Sequence, residues 1–183
     1  NLDLSIPKNK HTVITGPNGS GKSTLLGLIS QVFYPEDGNI NISSNKIGYV
    51  GVTPLILDDT LRENFLYGNT KNIKDDELIN LANEFELFVE NEINLDKSIS
   101  NRSLSAGQMQ KIAFIRALLA EVEILLLDES TSNLDIDTKQ FIFNILNNKN
   151  ITIINSTHNH EDFSYDHHIR IVYNGEKRKL VFN

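Results

Sequence analysis

Residues Gly16-Pro17-Asn18-Gly19-Ser20-Gly21-Lys22-Ser23 fit the pattern G-x-x-x-x-G-K-[ST], and no other stretch limits so sharply what this chain can fold into. Before the pattern, Thr12-Val13-Ile14-Thr15 reads as a strand. After it, residues 24–32 place Leu25, Leu26, Leu28, Ile29 and Val32 at helical spacing, and Pro35, Asp37 and Gly38 are expected to stop that helix. Strand, glycine-rich loop and helix, in that order, make a phosphate site. The glycines let the backbone curl until successive N–H groups face one point, and the helix N-terminus adds a positive dipole end. Lys22 supplies charge against β- and γ-phosphate oxygens, and the Ser23 hydroxyl suits Mg²⁺. Residues Gly16 through Ser23, with Thr24 beside them, are the expected phosphate cradle.

Elsewhere the periodicity predicts an α/β domain. Leu2, Leu4 and Ile6 alternate as in a strand ahead of the Pro7 turn, and residues 40–52 read as two more short strands. Residues 75–90 put Leu78, Leu81, Ala82, Phe85 and Phe88 on one helical face, and residues 105–120 form a second strong helix. Ile124 to Leu127 is a continuous apolar run of the kind that parallel strands buried on both faces carry. A helix over 136–147, a strand over 151–154 and a last pair of strands about Asn174-Gly175 complete the pattern. The expected architecture is a mostly parallel sheet flanked by helices, with antiparallel strands at the N-terminus and an inserted α-helical subdomain. Residues 1–57 and 121–183 would form the core, and about 58–120 the insertion. At 183 residues, one domain suffices.

Two acids and a histidine join the loop. Asp128 closes the 124–127 strand, so its carboxylate is expected at the carboxyl edge of the sheet, where open α/β folds place ligands and where it would hold the metal. Glu129 follows and should point elsewhere, as suits a base that polarises water. His158, after the strand over 151–154, is placed to orient a terminal phosphate. The nearby His160, His167 and His168 raise the idea of zinc, but their spacing matches no closed metal motif and a solvated group of imidazoles is the expected reading.

Net charge narrows the partners. At -7 the chain lacks the clustered positive field that nucleic acids or anionic membranes require, so no nucleic-acid partner is expected. It has no cysteine, which excludes disulfides and thiolate metal sites, and no apolar run approaches the roughly 18 residues that span a bilayer.

Leu104-Ser105-Ala106-Gly107-Gln108, followed by Met109-Gln110-Lys111-Ile112-Ala113, resembles the signature segment LSGGQ-x-Q-R-I-A of the ATP-binding cassette family. The order of motifs also fits: GPNGSGKST, then the signature, then ILLLDE, then Ser132-Asn133-Leu134-Asp135 like the family's D-loop, then the switch histidine at His158. The resemblance implies ATP and Mg²⁺ as ligands, with Ser23 and Asp128 on the metal and Lys22, Glu129 and His158 in the catalytic site. It also implies a second ATPase domain packed head to tail, so that the Ser105 helix tip completes the partner's ATP site. Asp58 to Gly68 looks like the exporter-type segment that meets a transmembrane domain, which would put this chain on the cytoplasmic face of a membrane.

Several positions depart from the family pattern. The Q-loop glutamine falls on Val52, which cannot ligate Mg²⁺, so weaker metal dependence or slower turnover is expected. Ala106 stands where glycine is usual, and residues 98–103 replace a longer exporter segment. Relatives carry an adenine-stacking aromatic farther upstream than Asn1, so weakened base recognition and an exposed sheet edge are expected. None of the five tyrosines is assigned to adenine. Two alternatives stay open: a regulatory cassette that binds ATP and hydrolyses poorly, and a soluble relative that acts outside transport.

Overall fold

The strand β1 (His11–Thr15) is buried along its whole length because it lies inside a six-stranded sheet. The structure, a computed structural model, describes residues 3–69, 71–88, 92–174 and 177–182. After β1 come α1 (Lys22–Ile29), β2 (Ile47–Val50), β3 (Asp59–Thr60), α2 (Leu61–Leu66), α3 (Asp75–Glu84), β4 (Ser98–Ile99) and α4 (Ala106–Leu119). The second half runs β5 (Ile124–Asp128), α5 (Ile136–Asn147), β6 (Thr152–Ser156), a 3₁₀ turn (His160–Asp162), β7 (His167–Asn174) and β8 (Lys177–Phe182). The main sheet has the order β2-β5-β6-β1-β7-β8, parallel throughout except for β8 against β7, while β3 and β4 form a separate antiparallel pair. The mostly parallel α/β core expected from the periodicity is therefore present.

Successive residues of the buried strands feed two hydrophobic layers. Val13, Leu125, Leu127 and Ile153 pack with Phe114, Ile115, Ile142 and Phe143 on the side of α4 and α5. Ile14, Leu126, Ile154, Ile169 and Ile171 pack with Leu26 of α1 on the other. This is why the run Ile124 to Leu127 is apolar at every position rather than at alternate ones. Each fully buried Leu, Ile or Phe contributes about 1.5–3 kcal/mol by leaving water.

The helix ends follow their caps. Ser105 and Gln108 form a reciprocal capping box that starts α4, and Asp135 caps α5 by accepting the Thr138 amide at 2.8 Å. α1 stops three residues earlier than its spacing suggests. Gln31 turns left-handed (φ 62), the amides of Val32 and Phe33 donate to the Gly27 carbonyl, and Val32 is exposed instead of inside. α3 likewise ends at Glu84. Glu86 is left-handed and the Leu87 amide donates to Ala82, a turn that still buries Phe85 and Leu87. Residues 89 and 90 of the expected helix lie outside the described residues.

Leu4 and Ile6 are not in a strand, and Leu2 lies outside the described residues. Both neighbours of β1 are taken by β6 and β7, so residues 3–7 find no ladder, and Leu4 and Ile6 instead lay partly buried side chains on the α1 layer. The antiparallel strands expected at the N-terminus are thus not formed by residues 3–7. Of residues 40–52 only β2 is strand, pairing β5. Among the described residues, no helix is long and apolar enough to cross a membrane. What the topology does for chemistry is to set β5, β6 and β1 side by side, so that their carboxyl ends open at one edge.

Candidate active site

At that edge the chain leaving β1 turns at Gly16. A Cβ there would stand 2.7 Å from Ser20 Oγ and 3.0 Å from the Ile171 carbonyl oxygen, so glycine is required. The loop closes with Ser20 N–H donating to Pro17 O, and Gly21 at φ 101 starts α1. Lys22 is buried, its Nζ 3.1 Å from the Gly16 carbonyl, whereas Pro17, Asn18, Gly19, Ser23 and Thr24 are exposed. The cradle therefore faces solvent with its lysine folded beneath it.

Glu129 and His158 meet that lysine. Glu129 Oε1 lies 3.0 Å from His158 Nε2 and 3.7 Å from Lys22 Nζ. Lys22 Nζ also stands 3.5 Å from the same Nε2, but one nitrogen cannot donate to the carboxylate and accept from the ammonium. The shorter contact decides it: Nε2–H donates to Glu129. Glu129 holds a left-handed backbone (φ 52), pinned by its amide on Ser156 O at 2.9 Å. Such a conformation costs a non-glycine residue on the order of 1–3 kcal/mol, and strain of this kind clusters at functional sites.

Asp128, expected beside the phosphate loop, is hydrogen-bonded to Tyr49 of β2. Its Oδ2 accepts from the Tyr49 hydroxyl at 3.0 Å, and its Oδ1 is buried with no hydrogen-bond partner among the described residues. Burial first, and then the Asp128 carboxylate, push the Tyr49 hydroxyl up to about 12. Tyr49 thus stays a neutral donor.

The signature residues stand apart from this group. Ser105 and Gln108 spend their polar atoms on each other, and Gln108 Nε2 reaches Leu87 O at 3.5 Å. The first two amides of α4, at Ala106 and Gly107, have no intrahelical acceptor and stay available to an anion. Ala106 sits at the first helical position without a positive φ, so its methyl group is accommodated without backbone strain. Leu104 is half-buried against the core, and Leu134, just before Asp135, lies within van der Waals distance of where a Gly107 side chain would start.

Sequence reasoning missed three neighbours. Tyr49 acts on Asp128 across 79 positions, Gln110 holds the carbonyls of Gly51 and Val52, and Arg178 Nη2 donates to Gly19 O at 3.2 Å. Tyr49 and Arg178 carry no local signal, and Gln110 matches the signature pattern without a role being assigned to it, because each contact is made by strand and helix packing. Beside the loop a cleft of about 660 Å³ is lined by Gly16, Pro17, His158, His160, His168 and Arg170. The His160 and His168 rings lie tilted with centroids 4.4 Å apart, and burial first, then His160 and Arg170, hold the His168 imidazole below its usual range.

Residues 1–132 match the model of the family described as ABC transporter. The chain belongs to that family. It is 33% identical over 196 residues to the lactococcin-A transport/processing ATP-binding protein LcnC of Lactococcus lactis, covering 96% of this chain and 27% of that protein. It is 31% identical over 179 residues to the ATP-dependent permease MDL1 of Candida albicans, covering 86% of this chain and 26% of the relative. Among solved structures, a bacterial Atm1-family ABC exporter with ATP bound superposes with a TM-score of 0.81 at 25% identity, over 92% of this chain and 33% of that one. The chain thus spans about a quarter of the length of these two relatives and a third of the exporter chain. As an ABC domain it is expected to bind ATP, and its Asp128 Oδ1, buried with no hydrogen-bond partner among the described residues, is the kind of oxygen that a hard cation or its water takes.

Proposed function

We propose that this ABC domain binds and hydrolyses ATP to drive transport across a membrane, as the nucleotide-binding domain of an exporter-type transporter. The observation that carries the reading is the meeting of Glu129, His158 and Lys22 at the mouth of the phosphate loop, with contacts of 3.0 and 3.7 Å. The amides of residues 16–24 would hold the phosphates. Lys22, released from the Gly16 carbonyl, would neutralise β- and γ-oxygens, while the Glu129 carboxylate accepts a proton from the attacking water and His158 holds Glu129 and the γ-phosphate in line. Ser23 and Asp128 are the residues that would hold Mg²⁺, which when bound neutralises phosphate oxygens. Catalysis here is positioning and charge stabilisation.

A second ABC domain, packed head to tail, would bring its Leu104-to-Gln108 helix tip and its D-loop Asp135 to this ATP. Residues 58–120 would act as the helical subdomain, with 1–57 and 121–183 as the ATP-binding core. Val52, Leu55 and Tyr67 are exposed apolar side chains on one stretch of chain, and a transmembrane domain is the partner that would cover them, holding the domain at the cytoplasmic face. Val52 favours a second reading, a regulatory cassette that binds without turnover, but the close Glu129–His158 pair supports hydrolysis. Glu129→Gln should lower single-turnover hydrolysis by about 10²–10⁴-fold while retaining ATP. Turnover at the wild-type rate would remove Glu129 from the role assigned to it.

A further inference from the structure

Helix α4 does more than present its N-terminus. At its second turn Gln110, only 3% exposed, donates from Nε2 to the carbonyls of Gly51 (3.2 Å) and Val52 (2.9 Å). Two turns later Arg116 donates from Nη1 to Leu55 O (2.9 Å) and from Nε to Asn64 O (2.8 Å). Asn64, fully buried, ties the same stretch to itself: its Oδ1 accepts the Leu57 amide, and its Nδ2 donates to the carbonyls of Leu57 and Thr60. The segment after β2 therefore hangs on α4 through main-chain carbonyls. Such a fastening does not depend on which side chain stands at position 52, so it survives the valine there.

Two atoms of this fastening are buried and have no hydrogen-bond partner among the described residues, Gln110 Oε1 and Arg116 Nη2. Buried polar atoms normally find partners, and an apolar side chain would hold the same space at lower cost.

We infer that Gln110 and Arg116 are positioning residues that couple the 51–57 segment to the Ser105 tip of α4, so that nucleotide captured at the tip and a partner docked on Leu55 act on one connected unit. The inference rests on the proposed function, in which that tip completes an ATP site. Because coupling between two sites is reciprocal, ATP must change the surroundings of Leu55 if docking at Leu55 changes the site.

This stretch of sequence has no cysteine, so Leu55→Cys adds one labelling site to it on an exposed side chain, read against the labelling of the parent full-length protein as background. In the full-length protein carrying L55C, ATP with Mg²⁺ is expected to change the maleimide labelling rate several-fold. Gln110→Met, which keeps volume and helix preference, should cut that change to under twofold and lower kcat about tenfold, with the Kd for ATP held within twofold. A merely structural residue would not separate kcat from Kd in this way. Should Gln110→Met fail to fold, Arg116→Lys, which lacks the planar fork that reaches the two carbonyls from separate nitrogens, decides the matter by the same two readouts. If the parent protein neither hydrolyses ATP nor responds in labelling, the proposed function fails. If the parent does both and the variants match it, only the coupling is overturned.

Discussion

Asp128 owes its orientation to a tyrosine far away in the chain. The Tyr49 hydroxyl holds Oδ2 at 3.0 Å, while Oδ1 is buried with no hydrogen-bond partner among the described residues. Outer partners of this kind orient a ligand and raise its basicity, and their loss commonly weakens metal binding 10–100-fold. Tyr49 is half-exposed, which places the effect at the low end. Tyr49→Phe should therefore raise the Mg²⁺ concentration for half-maximal hydrolysis by about tenfold, with little change in Tm. A Mg²⁺ titration that overlays the parent's would remove Tyr49 from the site. The phosphate loop was legible because its chemistry is consecutive: one octapeptide supplies the turn, the lysine and the hydroxyl. Asp128 and Glu129 were legible from a strand end. Tyr49 was not, since nothing local marks a side chain whose use is fixed by β2 lying on β5.

At the level of elements, helices were read best where caps reinforce the apolar spacing. α5 occupies 136–147 as expected, and α4 starts behind Ser105. Where the spacing ran past a left-handed residue, as at Gln31 and Glu86, the helices ended early, because a turn can bury Phe85 and Leu87 as well as a further helical turn would. Alternation misled at Leu4 and Ile6, where a coil lying on the sheet alternates much as a strand does. β3, β4 and the six-residue α2 are too short to carry a period. Asp135 turns out to have a structural duty beside the D-loop role implied by resemblance. It accepts the Thr138 amide and hydroxyl, both at 2.8 Å, and the Thr138 N–H holds its carboxyl below the usual range. Asp135→Ala removes the cap and should lower Tm by about 2–4 °C, whereas Asp135→Asn keeps the cap. Calorimetry separates these, and an Asn variant that is as unstable as the Ala variant would contradict the cap. An Asn variant that is stable yet slow to hydrolyse would assign the carboxylate charge a second task.

The whole molecule is tied together at His11, and that tie sets its acid limit. His11 opens β1, is 3% exposed, and stacks on Phe143 of α5 (5.1 Å) and on Phe163 (5.6 Å). Its Nδ1 faces Asn147 Oδ1 at 3.1 Å and its Nε2 faces the Asn155 amide nitrogen at 3.4 Å, so the ring is neutral with its proton on Nδ1. A second proton would have to enter Nε2 against an N–H donor, inside a hydrophobic layer. Burial accordingly lowers the imidazole to about 4, outweighing the Asn147 contact and the Asp166 carboxylate, which raise it. The sign follows: between about 6.5 and 4 the unfolded chain takes up a proton that the native chain refuses. Stability is full above pH 6.5 and falls as pH drops, by on the order of 3 kcal/mol at its limit near pH 4. His168, also lowered, acts in the same direction, while the depressed carboxylates of Asp135 and Asp166 give up their contributions only at lower pH. Urea unfolding at pH 7.5, 6.0 and 4.5 should show this slope, and the His11 ring should titrate near 4 by NMR. His11→Phe keeps the stack but strands the Asn147 and Asn155 side chains. It should be less stable than the parent at pH 7.5 and lose less on acidification, so that the two stability curves converge towards pH 4. Parallel curves, or a ring that titrates near 6.5, would mean that the proton is accommodated in the native fold and that the acid limit is set elsewhere.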